Sequence, residues 1–138
     1  MAVTIKSQRE IELMRESCKI LADVFSEMEK AVHPGVSTLD INNLGEKLIR
    51  AHGCIPNFLN YNGYPASICV SVNDEVVHGI PSRQKIIQEG DLVKIDAGLI
   101  YKGYHSDAAR TYAVGEVSKE AKQLMAVSYT HLTLPTKL

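Results

Sequence analysis

The hydrophobic period of this chain changes once, near residue 57, and that change restricts the fold more than any other feature. Upstream, Ile11, Met14, Cys18, Leu21, Phe25 and Met28 recur at steps of three and four residues, which lays an apolar stripe along one helical face. Ser7 followed by Glu10 is a capping box at its start, and His33-Pro34-Gly35 stops it. Ser37 and Thr38 cap a second helix, with Ile41, Leu44 and Leu48 inward and Gly53 past its end. Downstream, Ile68, Val70 and Val72 alternate with Cys69 and Ser71, the pattern of a strand with one buried face. Further strand-like segments run from Asp91 to Ile100 and from Tyr104 to Val114. The turn formers and aromatics of Asn57 to Pro65 read as a loop approaching the sheet, Asn73-Asp74 as a turn, and Ser82 to Gly90 as a polar connection. Two helices followed by several antiparallel strands predict an α+β fold rather than a doubly wound sheet.

Charge and cysteine content narrow the function classes. With 15 Lys and Arg against 16 Asp and Glu in 138 residues, the chain has no basic footprint for nucleic acid. Cys18, Cys54 and Cys69 are odd in number and lie outside any CxxC or Cys/His metal pattern, which points to a reducing, cytoplasmic setting. The first ten residues lack the apolar core of a signal peptide, and no window approaches the roughly 18 apolar residues of a membrane span.

The most informative stretch is Val93 to Asp107. Lys102-Gly103 is a turn signal between two strand patterns, so the segment is expected to be a hairpin. A four-residue loop from Ile100 to Gly103 would pair Leu99 with Tyr104 and set Asp96 directly opposite Asp107. Two like charges there destabilise a hairpin, whereas a divalent cation between them turns repulsion into coordination. The alternative is that each carboxylate is solvated or separately partnered, and a three-residue loop with a bulge would place them on opposite faces. His105 shares a face with Asp107, either as a further ligand or as a hydrogen-bonding neighbour.

In its motifs the chain resembles the first half of a type I methionine aminopeptidase of the bacterial kind, with the pita-bread metallopeptidase fold of the creatinase and aminopeptidase type. The resemblance is carried by the block from Tyr61 to Pro81, by Gly90 to Asp96, and by Gly103 to Asp107, in matching order and separation. It implies that Asp96 and Asp107 are metal ligands, Asp107 bridging two divalent ions (Co, Mn, Fe or Zn). It implies that His78 is the catalytic, substrate-side histidine, and that Tyr61, Tyr64 and Cys69 form part of the pocket for a methionine side chain. The turn of Asn73 and Glu75 is where family members often hold a monovalent cation through backbone oxygens. The activity implied is removal of the initiator methionine from nascent polypeptides, by water activated at the two metals. That activity goes with the N-termini of nascent chains at the ribosome as partners, a cytoplasmic monomer, and neither a membrane nor a nucleic-acid site.

The chain also departs from the family. Family members run to roughly twice its length, and the histidine and two glutamates that complete their metal site have no counterpart here. After Asp107 the acidic residues are Glu116 and Glu120 and the one histidine is His131, none in a matching motif. A helix begins near Val117, but Val127 to Leu138 breaks its period and resembles a translated sequencing-adapter read-through. The expectation is therefore an N-terminal half-domain over 1–126 and an artefactual or disordered tail over 127–138, the fragment itself being inactive. Competing readings are another pita-bread enzyme, such as a proline-directed peptidase or a creatine-type hydrolase, and a non-catalytic half-domain or binding module.

Overall fold

A computed structural model describes residues 4–132. Helix α1 (Gln8–Glu29) starts as its capping box dictates: the Ser7 hydroxyl accepts from the Glu10 N–H, and the Glu10 carboxylate accepts from the Ser7 N–H at 2.7 Å. Helix α2 (Thr38–Ala51) starts the same way, with Asp40 answering Ser37. Four antiparallel strands follow: β1 (Ile55–Pro56), β2 (Ile68–Val72), β3 (Leu92–Tyr101) and β4 (Tyr104–Ala113). Strand β3 is central. Its whole length pairs with β4 on one side, while β2 and β1 share the other. The order confirms the α+β expectation.

One face of the sheet carries the core. Leu21, Val24, Met28, Ile41 and Ile49 from the helices close on Ile68, Val70, Val93, Ile95 and Leu99. Each such side chain contributes about 1.5–3 kcal/mol when fully buried. Helix α2 approaches closely because residue 45 is glycine: a Cβ there would lie 2.9 Å from Met28 Sδ. The buried stripe of α1 is rotated from the one expected. Ser17, Leu21, Val24, Phe25 and Met28 face inward, while Ile11, Met14 and Cys18 are exposed. Ser17 turns inward because its hydroxyl donates to Ser106 Oγ at 2.8 Å, a buried link between α1 and β4 that apolar periodicity cannot register. Cys18 instead lines an open groove between α1 and β4, with Phe25, Ala108 and Tyr112.

Two further expectations change. The hairpin turn has two residues, Lys102 and Gly103, with φ of 48° and 84°, so Tyr101 pairs with Tyr104 and the register differs by two from the four-residue loop. Asp96 is therefore opposite Ala109 and Asp107 opposite Gly98. A shift of two preserves the face, so both aspartates still project from the same side. Helix α3 (Lys119–Leu132) runs on through Val127, where the change of apolar period suggests that the element ends; residues 133–138 lie outside the described residues. Among the described residues no helix is long and apolar enough to cross a membrane, and all three cysteines are free thiols.

Candidate metal and peptide site

The second face of the sheet is covered over β2 and open along β4, where Asp107, Ala109, Thr111 and Ala113 are exposed. Cys69 and Ser71 are as buried as Val70, because the segments around 57–67 and 76–81 fold over β2 and leave a cleft of about 930 Å³. Tyr61, Tyr64, Cys69, His78, Asp96 and Asp107 all line it, together with Asn57, Phe58, Ile80 and His105. Every residue singled out in the sequence for divalent-metal, substrate or catalytic roles thus opens on one space, while the Asn73 and Glu75 turn lies outside it.

Strand register supplies the floor. Cys69 pairs directly with Asp96, and Asp107 lies diagonally beyond, opposite Gly98. Gly98 matters for what it lacks: a Cβ would come within 3.1 Å of the Asn57 side chain. Asn57 enters that space and places its Oδ1 2.9 Å from His105 Nδ1. His105 is thereby tied at the rim as a hydrogen-bonding neighbour. Asn57 was invisible as a site residue, since nothing in a turn-rich loop announces which asparagine will fill the gap over a glycine much later in the chain, on the neighbouring strand.

The charges are arranged against themselves. Asp96 Oδ1 is buried and has no hydrogen-bond partner among the described residues. Burial pushes the Asp96 carboxyl above the ordinary carboxylate range; the Asp107 charge pushes it further, and His78 partly offsets both. Burial likewise raises the Cys69 thiol, partly opposed by its contact with the Tyr64 hydroxyl. A buried carboxylate with no donor and a like-charged neighbour gains most from a cation. Among the described residues no three His, Cys, Asp or Glu side chains converge into a full ligand set. Asp96 and Asp107 therefore fit a divalent metal as two of its oxygen ligands.

The turn after β2 is differently equipped. The Asn73 carbonyl accepts from the Lys94 ammonium, and Glu75 is paired with Lys85 while accepting from the Val72 N–H at 2.8 Å. Lys94 thus lies at one backbone oxygen of this turn, and Lys85 at a side-chain carboxylate beside it.

The sequence profile of metallopeptidase family M24 matches residues 12–134. The chain belongs to metallopeptidase family M24. Within M24, the methionine aminopeptidase of Clostridium acetobutylicum is 48% identical over 126 residues, which cover 91% of this chain and 50% of that protein. The crystal structure of methionine aminopeptidase from Rickettsia prowazekii superposes with a TM-score of 0.91 at 37% identity, covering 94% of this chain and 52% of that one. The Xaa-Pro dipeptidase from Bacillus anthracis superposes with a TM-score of 0.79 at 32% identity, covering 91% and 34% respectively. The chain spans about half the length of the methionine aminopeptidases it matches, and over that half it has the pita-bread fold.

Proposed function

We propose that this M24 chain carries one half of the active site of a methionine aminopeptidase, whose whole form removes the initiator methionine from nascent polypeptides in the cytoplasm. The observation that carries the reading is the single cleft holding a carboxylate pair, a histidine and an aromatic wall. Asp96 and Asp107 would hold divalent metal, with Co, Mn, Fe and Zn all compatible with such oxygen ligands. When bound, ions of this kind make water a nucleophile at neutral pH and polarise a peptide carbonyl.

The chain's own residues do the rest. His78 lines the cleft beside the carboxylates and is placed to donate a hydrogen bond to the carbonyl oxygen or the leaving amide. Phe58, Tyr61, Tyr64 and Cys69 wall the space for an unbranched thioether side chain, which favours sulfur–aromatic contacts. The raised thiol of Cys69 stays neutral there and serves as an apolar contact. A monovalent cation at the backbone oxygens of the Asn73 turn would share the Asn73 carbonyl with the Lys94 ammonium.

The test is to read the source DNA past the codon for Ala126, express the whole frame, and assay it with Mn²⁺ or Co²⁺ on Met-Ala-Ser and on Ala-Pro. Release of methionine from the first peptide and no cleavage of the second is expected. Cleavage of Ala-Pro alone would replace the reading with a proline-directed peptidase. A genuine stop after Leu138 would leave a half-domain and end the enzyme reading for this chain.

A further inference from the structure

Among the described residues, five besides glycine have a left-handed backbone: three are asparagines, Lys102 sits in the hairpin turn, and the fifth is His78, with φ 57°. What imposes that conformation lies one residue on. The Gly79 N–H donates to Ser71 Oγ at 2.9 Å in a buried bond. The Gly79 carbonyl accepts from the Val70 N–H at 3.0 Å and from the Tyr64 hydroxyl at 3.1 Å. A Cβ at residue 79 would fall 2.4 Å from the Val70 carbonyl oxygen, so nothing larger than glycine permits this approach. Ser71 is 2% exposed, which leaves no room for water to substitute for its hydroxyl.

We propose that Ser71 is a positioning residue for His78: with Tyr64 it clamps Gly79 against β2, which holds His78 left-handed and keeps its imidazole in the cleft with Asp96 and Asp107. The clamp explains why exposed chain at Val76 and Val77 gives way within two residues to a fixed backbone. It also gives Tyr64 a task beyond walling the cleft, since its hydroxyl bridges the Ile68 and Gly79 carbonyls. The catalytic meaning of this positioning rests on the aminopeptidase reading; the clamp itself does not.

The test uses the 138-residue chain, labelled with carbon-13 and nitrogen-15. In the wild type, the amide–Hα coupling of His78 should report a left-handed residue, and its imidazole should show nuclear Overhauser contacts to residues lining the cleft. Ser71→Ala should lose both, with Gly79 amide exchange faster by about tenfold or more, while β3 and β4 keep their protection. Ser71→Thr, which retains the hydroxyl, should restore them. If Ser71→Ala does not fold, Tyr64→Phe tests the same clamp and should weaken the same His78 signals. Unchanged His78 coupling and contacts in a folded Ser71→Ala or Tyr64→Phe chain would overturn the proposal. Added MnCl₂ reads the other claim separately: absence of broadening at Asp96 and Asp107 would remove the metal reading while leaving the clamp standing.

Discussion

Asp107 on β4 lies directly opposite Gly98 on β3, one pleat out of step with Asp96, and both carboxylates project from the face that Cys69 shares. Diagonal neighbours on an antiparallel pair are about 7–8 Å apart at the backbone. That separation is within the combined reach of two aspartate side chains, so both carboxylates can converge on a small ion held between them. The absent side chain at Gly98 leaves the space over that residue to Asn57.

Removing one charge of this pair should stabilise the metal-free chain. Asp96 is raised by burial and by Asp107, so at neutral pH its ionised form opposes folding. Asp96→Asn is expected to increase unfolding free energy by about 0.5–1 kcal/mol, the scale of a cross-strand charge pair. Urea denaturation at pH 7 with a chelator present checks this; a loss of stability would mean that the carboxylate has a structural partner.

Asn42 ties the site to the core. Its Oδ1 accepts from the Ser67 N–H at 3.0 Å and the Ile68 N–H at 3.2 Å, both buried, where the cleft loop enters β2. Asn42→Ala leaves two buried donors without a partner and should cost about 2–4 kcal/mol. Asn42→Asp, which keeps an acceptor, should cost less. Equal losses in the two variants by urea denaturation would show that the acceptor is not what matters.

Acid should destabilise the chain through two carboxylates that hold the β2 region. Glu46 is kept below its ordinary range by the Ser67 hydroxyl and by Arg50, and Glu75 by Lys85 and the Val72 N–H. A carboxylate depressed in the folded state contributes stability that is complete above its unfolded pKa, near 4.5. That contribution is lost as pH falls through the lower folded value. Asp96 works in the opposite direction, its penalty being relieved on acidification. Stability should therefore fall between about pH 5 and pH 3, less steeply in Glu46→Gln and more steeply in Asp96→Asn. Urea midpoints across that range decide; the same slope in all three chains would refute the assignment.

The outer side of β4 has no strand partner among the described residues, and Ala109, Thr111 and Ala113 on it are exposed. A ten-residue open edge pairs readily with another chain. The isolated chain is expected to self-associate as concentration rises, and Thr111→Lys to reduce that association without lowering stability. Sedimentation velocity across a concentration series reads both; identical behaviour of the two chains would place the association elsewhere.

Much of this arrangement was legible before the structure, for reasons that can be named. Ser7 with Glu10 announces a helix start because both side chains satisfy the same backbone donors, and the helix begins there. The aspartate pair was legible as to face, since strand parity survives a register shift of two, but not as to partner. A two-residue turn of this type needs two left-handed residues, and lysine at the first does not advertise one. The rotated stripe of α1 escaped because Ser17 is held inward by hydrogen bonds rather than by apolar character. Ser71 escaped because an alternating pattern assigns a serine to solvent, whereas the loop carrying His78 covers it.

Whether Asp96 and Asp107 together hold a divalent cation is decided by calorimetric titration of MnCl₂ into the chain at pH 7. Saturable binding to the wild type is expected, which Asp96→Asn and Asp107→Asn each abolish, while Glu116→Gln, remote from the cleft, leaves it intact. Binding that persists unchanged in both aspartate variants, or its absence from a folded wild type, would contradict such a site.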